Sequence, residues 1–304
     1  MAALQALWRF SRPHTIIGTS LSVWSIFVLV VATTPLMVQE LVLPALIAWI
    51  ACLLGNVYIV GLNQLWDVEI DRINKPNLPL ASGEFTLRQG KGIVALCGLA
   101  SILIAIGGGV WLGITIGSSL LIGTAYSMPP LRLKRFAFFA AFCILVVRGM
   151  IVNLGLYQFY SSQLNAPISL PAPIWGLTLF ILIFSVGIAI CKDLPDMEGD
   201  RQFHIQTLTI QIGPSKVFNL TRILMTISYG GLLLWAWLGQ LGLATGINRG
   251  EMIVSQGVIL TLFWWRSGRV DLNNKPSITQ FYQFIWKLFF LQYLLYPLTF
   301  ITGI

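Results

Sequence analysis

Nine apolar runs divide this chain, at roughly 14–34, 41–66, 91–110, 112–128, 136–160, 172–192, 217–240, 250–266 and 280–301. A helix of about 20 apolar residues spans the roughly 30 Å hydrocarbon core of a bilayer, and most of these runs reach that length. The pattern therefore predicts an all-α, multi-pass membrane protein: one domain over 1–304, with about nine helices around a central cavity and cap loops on one face. The runs stop where turn chemistry stops them. Breaks fall at Thr34-Pro35, at Pro76, Pro79 and Gly83, at Gly107-Gly108-Gly109, at Pro129-Pro130, from Pro167 to Pro173, at Gly213-Pro214 and from Asn273 to Pro276. Only the connections at 67–90 and 192–216 are long enough to fold over a site.

Composition agrees, with 56% hydrophobic and only 10% charged residues, far from the quarter or so of charged residues usual in soluble domains. The distribution of charge adds direction. Sixteen of the nineteen Lys and Arg residues lie in the N-terminus and in the connections after even-numbered runs; those after the first, third and fifth runs carry none. By the positive-inside rule this places the N-terminus in the cytoplasm and, with nine spans, the C-terminus outside. The formal charge of +8 is spread among these connections rather than gathered in an arm or helix, which argues against nucleic acid as a partner. The N-terminus lacks the Arg- and Ser-rich character of an organelle presequence, which favours a prokaryotic protein. Cys52, Cys97, Cys143 and Cys191 stand singly in apolar runs and read as small core residues.

The acids are concentrated. Eight of eleven lie in the two long connections, both assigned to the cytoplasmic face by the basic residues alone. The first cluster, Asn63-Gln64-Leu65-Trp66-Asp67-Val68-Glu69-Ile70-Asp71, places Asn63, Asp67 and Asp71 four residues apart. On a continuous α-helix they form one stripe within about 80° of arc. Its carboxylates repel one another and would oppose the dipole at a helix C-terminus, so a positive partner is required. The second cluster, Lys192-Asp193-Leu194-Pro195-Asp196-Met197-Glu198-Gly199-Asp200, repeats the spacing in Asp196 and Asp200 and adds Asp193.

Carboxylate sets opposed across a cavity suit hard divalent cations, and Mg2+ is commonly held by one or two carboxylates together with substrate phosphate oxygens. Arg72, Lys75, Tyr126, Arg132, Lys134, Lys192 and Arg201 lie close by in sequence. Such cations match the charge of a diphosphate. At the lipid boundary this combination predicts a diphosphate with a long apolar tail. An allylic carbocation left by its ionisation needs a dry, aromatic cavity; Tyr58, Trp66, Tyr126, Tyr157 and Phe180 lie on runs able to line one. Arg148 and Asn153, costly within an apolar run, should turn inward, either lining the cavity or pairing with another helix. His14 and His204 are the only histidines; His14, beside Arg12, suits either an aromatic carboxylate or a capping or surface place.

These residues also carry a resemblance. The two acidic repeats, Arg12-Pro13-His14 and the nine runs resemble the UbiA superfamily of intramembrane aromatic prenyltransferases. Asn74-Lys75-Pro76-Asn77-Leu78-Pro79-Leu80-Ala81-Ser82-Gly83, Tyr126-Ser127-Met128-Pro129-Pro130-Leu131-Arg132-Leu133-Lys134-Arg135 and Phe281-Tyr282-Gln283-Phe284-Ile285-Trp286-Lys287 resemble its cyanobacterial homogentisate-prenylating branch. The resemblance implies transfer of the phytyl group of phytyl diphosphate to homogentisate, with loss of carbon dioxide and diphosphate, on the tocopherol route. It implies Mg2+ held by Asn63, Asp67, Asp71, Asp196 and Asp200, with Asp193 an additional acid. Arg72, Lys75, Arg132, Lys134 and Lys192 would then stabilise charge growing on the leaving group. No Ser-His-Asp arrangement offers a covalent route. Within the superfamily, a geranylgeranyl or solanesyl donor, or another aromatic acceptor, is the alternative. A cation-coupled transporter is the alternative of a different class, although such proteins place their acids at the membrane midplane rather than at one face.

Overall fold

The computed structural model describes residues 2–33, 38–165, 169–203, 205–239 and 247–302. Among them the chain is helical, with no sheet; one isolated bridge joins Phe136 and Gln206. The expected break at Thr34-Pro35, Pro167 and His204 lie outside the described residues.

A short helix, α1 (Ala2–Phe10), precedes α2 (Pro13–Thr33) and α3 (Val38–Trp66). Asp67 interrupts the backbone with φ −116° and ψ 17°, and a second short helix, α4 (Val68–Asn74), follows. Next come α5 (Leu87–Gly108) and α6 (Val110–Ser127). α5 opens on a reciprocal cap between Thr86 and Gln89. The two helices part at Gly109, whose φ of 111° is open to glycine and strained for other residues. The fifth run comprises α7 (Ala137–Leu145), a π-helical segment over Val146–Ile151 and α8 (Val152–Gln163). α9 (Ala172–Gln202), α10 (Leu208–Ile212), α11 (Pro214–Leu238), α12 (Arg249–Ser267) and α13 (Lys275–Ile301) complete the chain.

Eight described helices are long and apolar enough to cross a membrane. The run at 250–266 does form the 19-residue α12 but is not among them; it carries Arg249, Glu251 and Arg266. The run at 172–192 also ends later than expected, because α9 continues through Pro195 to Gln202 and takes the second acidic cluster into the helix.

α2, α3, α6, α8, α9 and α13 pack side by side around the interior, with α5 against α3 and α6, and α11 and α12 outside α9 and α13. The outer face of α5 leaves Leu96, Leu99, Leu103 and Ile106 exposed, an arrangement tolerable where lipid is the solvent. The interior is aromatic: Phe180, Phe184, Tyr229, Phe289 and Tyr293 form one chain of ring contacts. Cys52, Cys143 and Cys191 are buried, and all four cysteines are free.

Candidate active site

A cavity of about 330 Å³ opens at one end of the bundle, lined from α2, α3, α4, α6, α7, the π-helical segment, α8, α9 and α13. Both acidic clusters reach it. Asn63, Asp67, Asp71, Lys75, Tyr126, Lys134, Lys192, Asp193, Asp196 and Asp200 all line its wall.

The first cluster is not the unbroken stripe its spacing suggests. The helix stops at Trp66 and restarts at Val68, with the Asp71 amide donating to the Asp67 carbonyl at 2.7 Å. Asp71 therefore stands in the first turn of α4, where the helix dipole favours negative charge, the reverse of the expectation for a helix C-terminus. The period of four survives the break because Asp67 to Asp71 is itself one helical turn. The second cluster does lie at a helix C-terminus, in the last turns of α9.

Cations meet both clusters, and all but Lys192 come from outside the two acidic segments. Asp67 accepts from Arg132 Nη2 at 3.0 Å and from Lys134 Nζ. Arg12 Nη2 donates to Asn63 Oδ1 at 3.1 Å and faces Asp71 Oδ2 at 3.7 Å. Lys75 Nζ donates to Asp196 Oδ2 at 2.6 Å, and Lys192 Nζ lies 3.5 Å from Asp193 Oδ1. Arg12 and Arg132 hold positive φ, 52° and 37°, a conformation that costs a side-chain-bearing residue energy and concentrates at functional sites. Their bends turn α1 into α2, and the 129–132 turn into a 3-10 segment, so that both guanidinium groups face the acids.

Burial displaces Asp71 and Lys134, outside the spanning helices, from their ordinary titration. Asp71 is raised above the usual carboxylate range by desolvation, against the opposing pull of Arg12 and Lys75. Lys134 is lowered to about 8 by desolvation, with Asp67 resisting. Asp71 Oδ2 is buried and accepts no hydrogen bond, and among the described residues the Asp200 carboxylate makes no hydrogen bond or ion pair. Among those residues no three His, Cys, Asp or Glu side chains converge closely enough to hold a metal; cations stand between the acids instead.

Two expected residues fall elsewhere. Arg72 pairs with Glu69 at 2.8 Å on the exposed side of α4, because burying Asp71 turns residues 69 and 72 outward. Arg201 lies on the outer face of α9 beside a shallow surface pocket shared with Lys275. Of the five aromatics named from sequence, Tyr126 alone lines the cavity; Tyr58 bonds Thr124 on α6, Trp66 is exposed, and Tyr157 and Phe180 are core residues. The aromatic wall comes from α13, as Tyr282, Trp286, Phe289 and Tyr293. His14 also lines the cavity, edge-on to Trp286 with ring centroids 4.8 Å apart, rather than standing at the surface.

Arg148 and Asn153 take one each of the two fates open to them. In a regular α-helix five residues leave two side chains about 140° apart, but the wider π turn between them lets both face inward. Arg148 lines the cavity; Asn153 accepts from Tyr293 Oη at 3.0 Å and donates to the Gly149 carbonyl. Asn74 ties the two clusters together, its Oδ1 accepting from the Gly199 amide at 3.1 Å. A Cβ on Gly199 would stand 2.5 Å from that oxygen, so a side chain there would push the Asn74 amide aside.

The profile of the UbiA prenyltransferase family matches residues 20–288. Homogentisate phytyltransferase of Synechocystis sp. is 60% identical over 300 residues, 98% of this chain and 96% of that one. Chloroplastic homogentisate phytyltransferase 1 of Arabidopsis thaliana is 41% identical over 97% of this chain and 75% of its own length. A UbiA homolog from Archaeoglobus fulgidus, solved bound to GPP and Mg2+, matches the fold with a TM-score of 0.65 at 17% identity, over 98% of this chain and 99% of that one.

Proposed function

We propose that this chain, which belongs to the UbiA prenyltransferase family, transfers the phytyl group of phytyl diphosphate to homogentisate, releasing diphosphate and carbon dioxide and forming 2-methyl-6-phytylquinol. The observation that carries the transferase reading is the meeting of two acidic segments, about 130 residues apart in sequence, with Lys75, Arg132, Lys134 and Lys192 at one mouth of a membrane-embedded cavity. Donor and acceptor come from the relatives in Synechocystis and Arabidopsis.

The residues fit a magnesium diphosphate. Five aspartates and Asn63 supply hard oxygen ligands, and Asp71 Oδ2 and the Asp200 carboxylate are free of hydrogen-bond partners. Asn63, Asp67 and Asp71 on one side, with Asp196, Asp200 and Asp193 on the other, would hold the ion, which when bound supplies charge neutralisation at the phosphate oxygens. The ion pairs then act as place-holders. When the diphosphate arrives, Lys75 and Lys134 leave Asp196 and Asp67 for its oxygens, and Arg132 and Lys192 complete the cationic side. As the C1–O bond breaks, its electron pair stays on a diphosphate already facing fixed positive groups, so the protein stabilises charge rather than attacking the substrate. The faces of Tyr282, Trp286 and Phe289 shield the allylic cation from water until the acceptor ring captures it. We place this mouth on the cytoplasmic side, from the distribution of basic residues.

The test is a membrane preparation incubated with Mg2+, homogentisate and a panel of labelled phytyl, geranylgeranyl and solanesyl diphosphates. The phytyl product should predominate. A product formed mainly from another donor, or from another aromatic acid offered in homogentisate's place, replaces the substrate assignment; no transfer from any donor overturns the reading.

A further inference from the structure

The cations at the cavity mouth have acids beside them: Arg12 has Asp71, Lys75 has Asp196, Arg132 and Lys134 share Asp67, and Lys192 has Asp193. Arg148 differs. It lines the same cavity from the π-helical segment, and among the described residues it makes no ion pair or hydrogen bond. Its guanidinium lies instead over two rings of α13, 4.7 Å from the centroid of Trp286 and 5.2 Å from that of Phe289. Ring faces orient a guanidinium without neutralising it. An unpaired positive charge inside a membrane-spanning helix is costly and calls for a partner.

The position argues for what that partner is. Arg148 lies eleven residues into the helical stretch that starts at Ala137, roughly 16 Å of helical rise from its start on the Lys134 side, against Trp286 and Phe289 of α13. A diphosphate held at the mouth leaves this deeper charge unanswered. Beside it are flat aromatic surfaces, the setting for a flat ring that bears a carboxylate. Position bears on the chemistry too. Breaking the C1–O bond leaves positive charge on the allylic carbon, and a bare guanidinium in the same low-dielectric cavity opposes that charge.

We infer that Arg148 binds the carboxylate of the aromatic acceptor, and that the cavity favours ionisation of the prenyl diphosphate only once the acceptor has neutralised this guanidinium. The inference rests on the prenyl-transfer reading above and assigns the acceptor end of that site. Without acceptor, ionised donor is lost to water: the C1–O pair leaves with diphosphate, water oxygen bonds C1, a proton is released, and prenyl alcohol results. With acceptor, a ring π pair forms the bond to C1, the ring carbon releases its proton, and the side-chain carboxylate leaves as carbon dioxide while the benzylic carbon it leaves takes up a proton. Unpaired, Arg148 thus holds back the first outcome; paired with the acceptor carboxylate, it permits the second.

The test compares homogentisate with its neutral methyl ester in wild type, Arg148→Gln and Arg148→Lys. Wild type should use the acid at least about 10-fold more efficiently than the ester. Arg148→Gln should raise KM for the acid about 10- to 100-fold, with Arg148→Lys in between, while leaving KM for the ester nearly unchanged and raising the ester's turnover. Acceptor-free release of inorganic diphosphate should rise several-fold in Arg148→Gln. Equal use of acid and ester by wild type, a measurement that needs no variant to fold, overturns the proposal. So does an Arg148→Gln variant with unchanged acid KM, or with acceptor-free hydrolysis no faster than wild type. Failure of wild type to prenylate homogentisate at all strikes the function reading instead.

Discussion

The two acidic segments share a four-residue spacing and differ in nearly everything else. The first breaks its helix at Asp67 and restarts it, giving Asp71 the favourable end of a new dipole; the second stays on one helix that runs through Pro195 to Gln202. The first is clasped by three cations, two of them arginines in strained backbone; the second meets lysines, Lys75 from across the cavity and Lys192 from its own helix. Spacing alone therefore fixes which face acids share, and the surrounding elements decide how each is electrostatically prepared. The broken segment is the more heavily shaped of the two, and Asp71, buried and short of a hydrogen bond, is its most exacting position.

If both segments hold one metal diphosphate, Asp71→Asn and Asp196→Asn should each cut transfer in membranes by about 10²–10³-fold or more. Full activity in either would break the clamp in two. Chelation with EDTA should abolish transfer, and added Mg2+ should restore it; turnover that persists through chelation would remove the reason for pairing the segments. Lys75→Met and Lys134→Met each delete one place-holding cation and should lower kcat/KM for the diphosphate by roughly 10- to 100-fold. A larger effect at Lys134 than at Lys75 would sharpen the contrast, because Lys134 is the more buried. Asn74→Ala removes the bond to the Gly199 amide and should cost about 1 kcal/mol in unfolding free energy, measured in detergent. Arg72→Ala and Arg201→Ala should change activity by less than about twofold, since both side chains face outward and an exposed pair contributes at most about 1 kcal/mol. A large loss at either would return it to the site.

Much of this was legible in the chain. Apolar run length gave eight of the nine expected spans, and charge placement gave the common end of the acidic segments, because lipid restricts both severely. The backbone break at Asp67 was not legible, since a period of four reads the same through a continuous helix and through one that stops and restarts. Nor was the outward turn of Arg72 and Arg201: proximity in sequence to an acid says little about which side of a helix a cation occupies. The aromatic wall was misplaced for a similar reason. With 37 aromatic residues in the chain, composition cannot pick out Tyr282, Trp286 and Phe289, although the spelling around them carried the family resemblance. Arg12 was visible only as part of the Arg12-Pro13-His14 opening; its reach to Asn63 and Asp71 depends on a left-handed bend that nothing in the residue type predicts. The π segment was equally hidden, and it alone reconciles two inward-facing polar residues five apart.

The contact between Asn74 and Gly199 has a practical corollary for anyone splicing this chain with a relative. A chimera joined between the front and back halves inherits residue 74 from one parent and residue 199 from the other. Where the back parent carries a side chain at the glycine position, that side chain displaces the Asn74 amide, and the bond to the residue 199 amide is lost unless residue 74 changes with it.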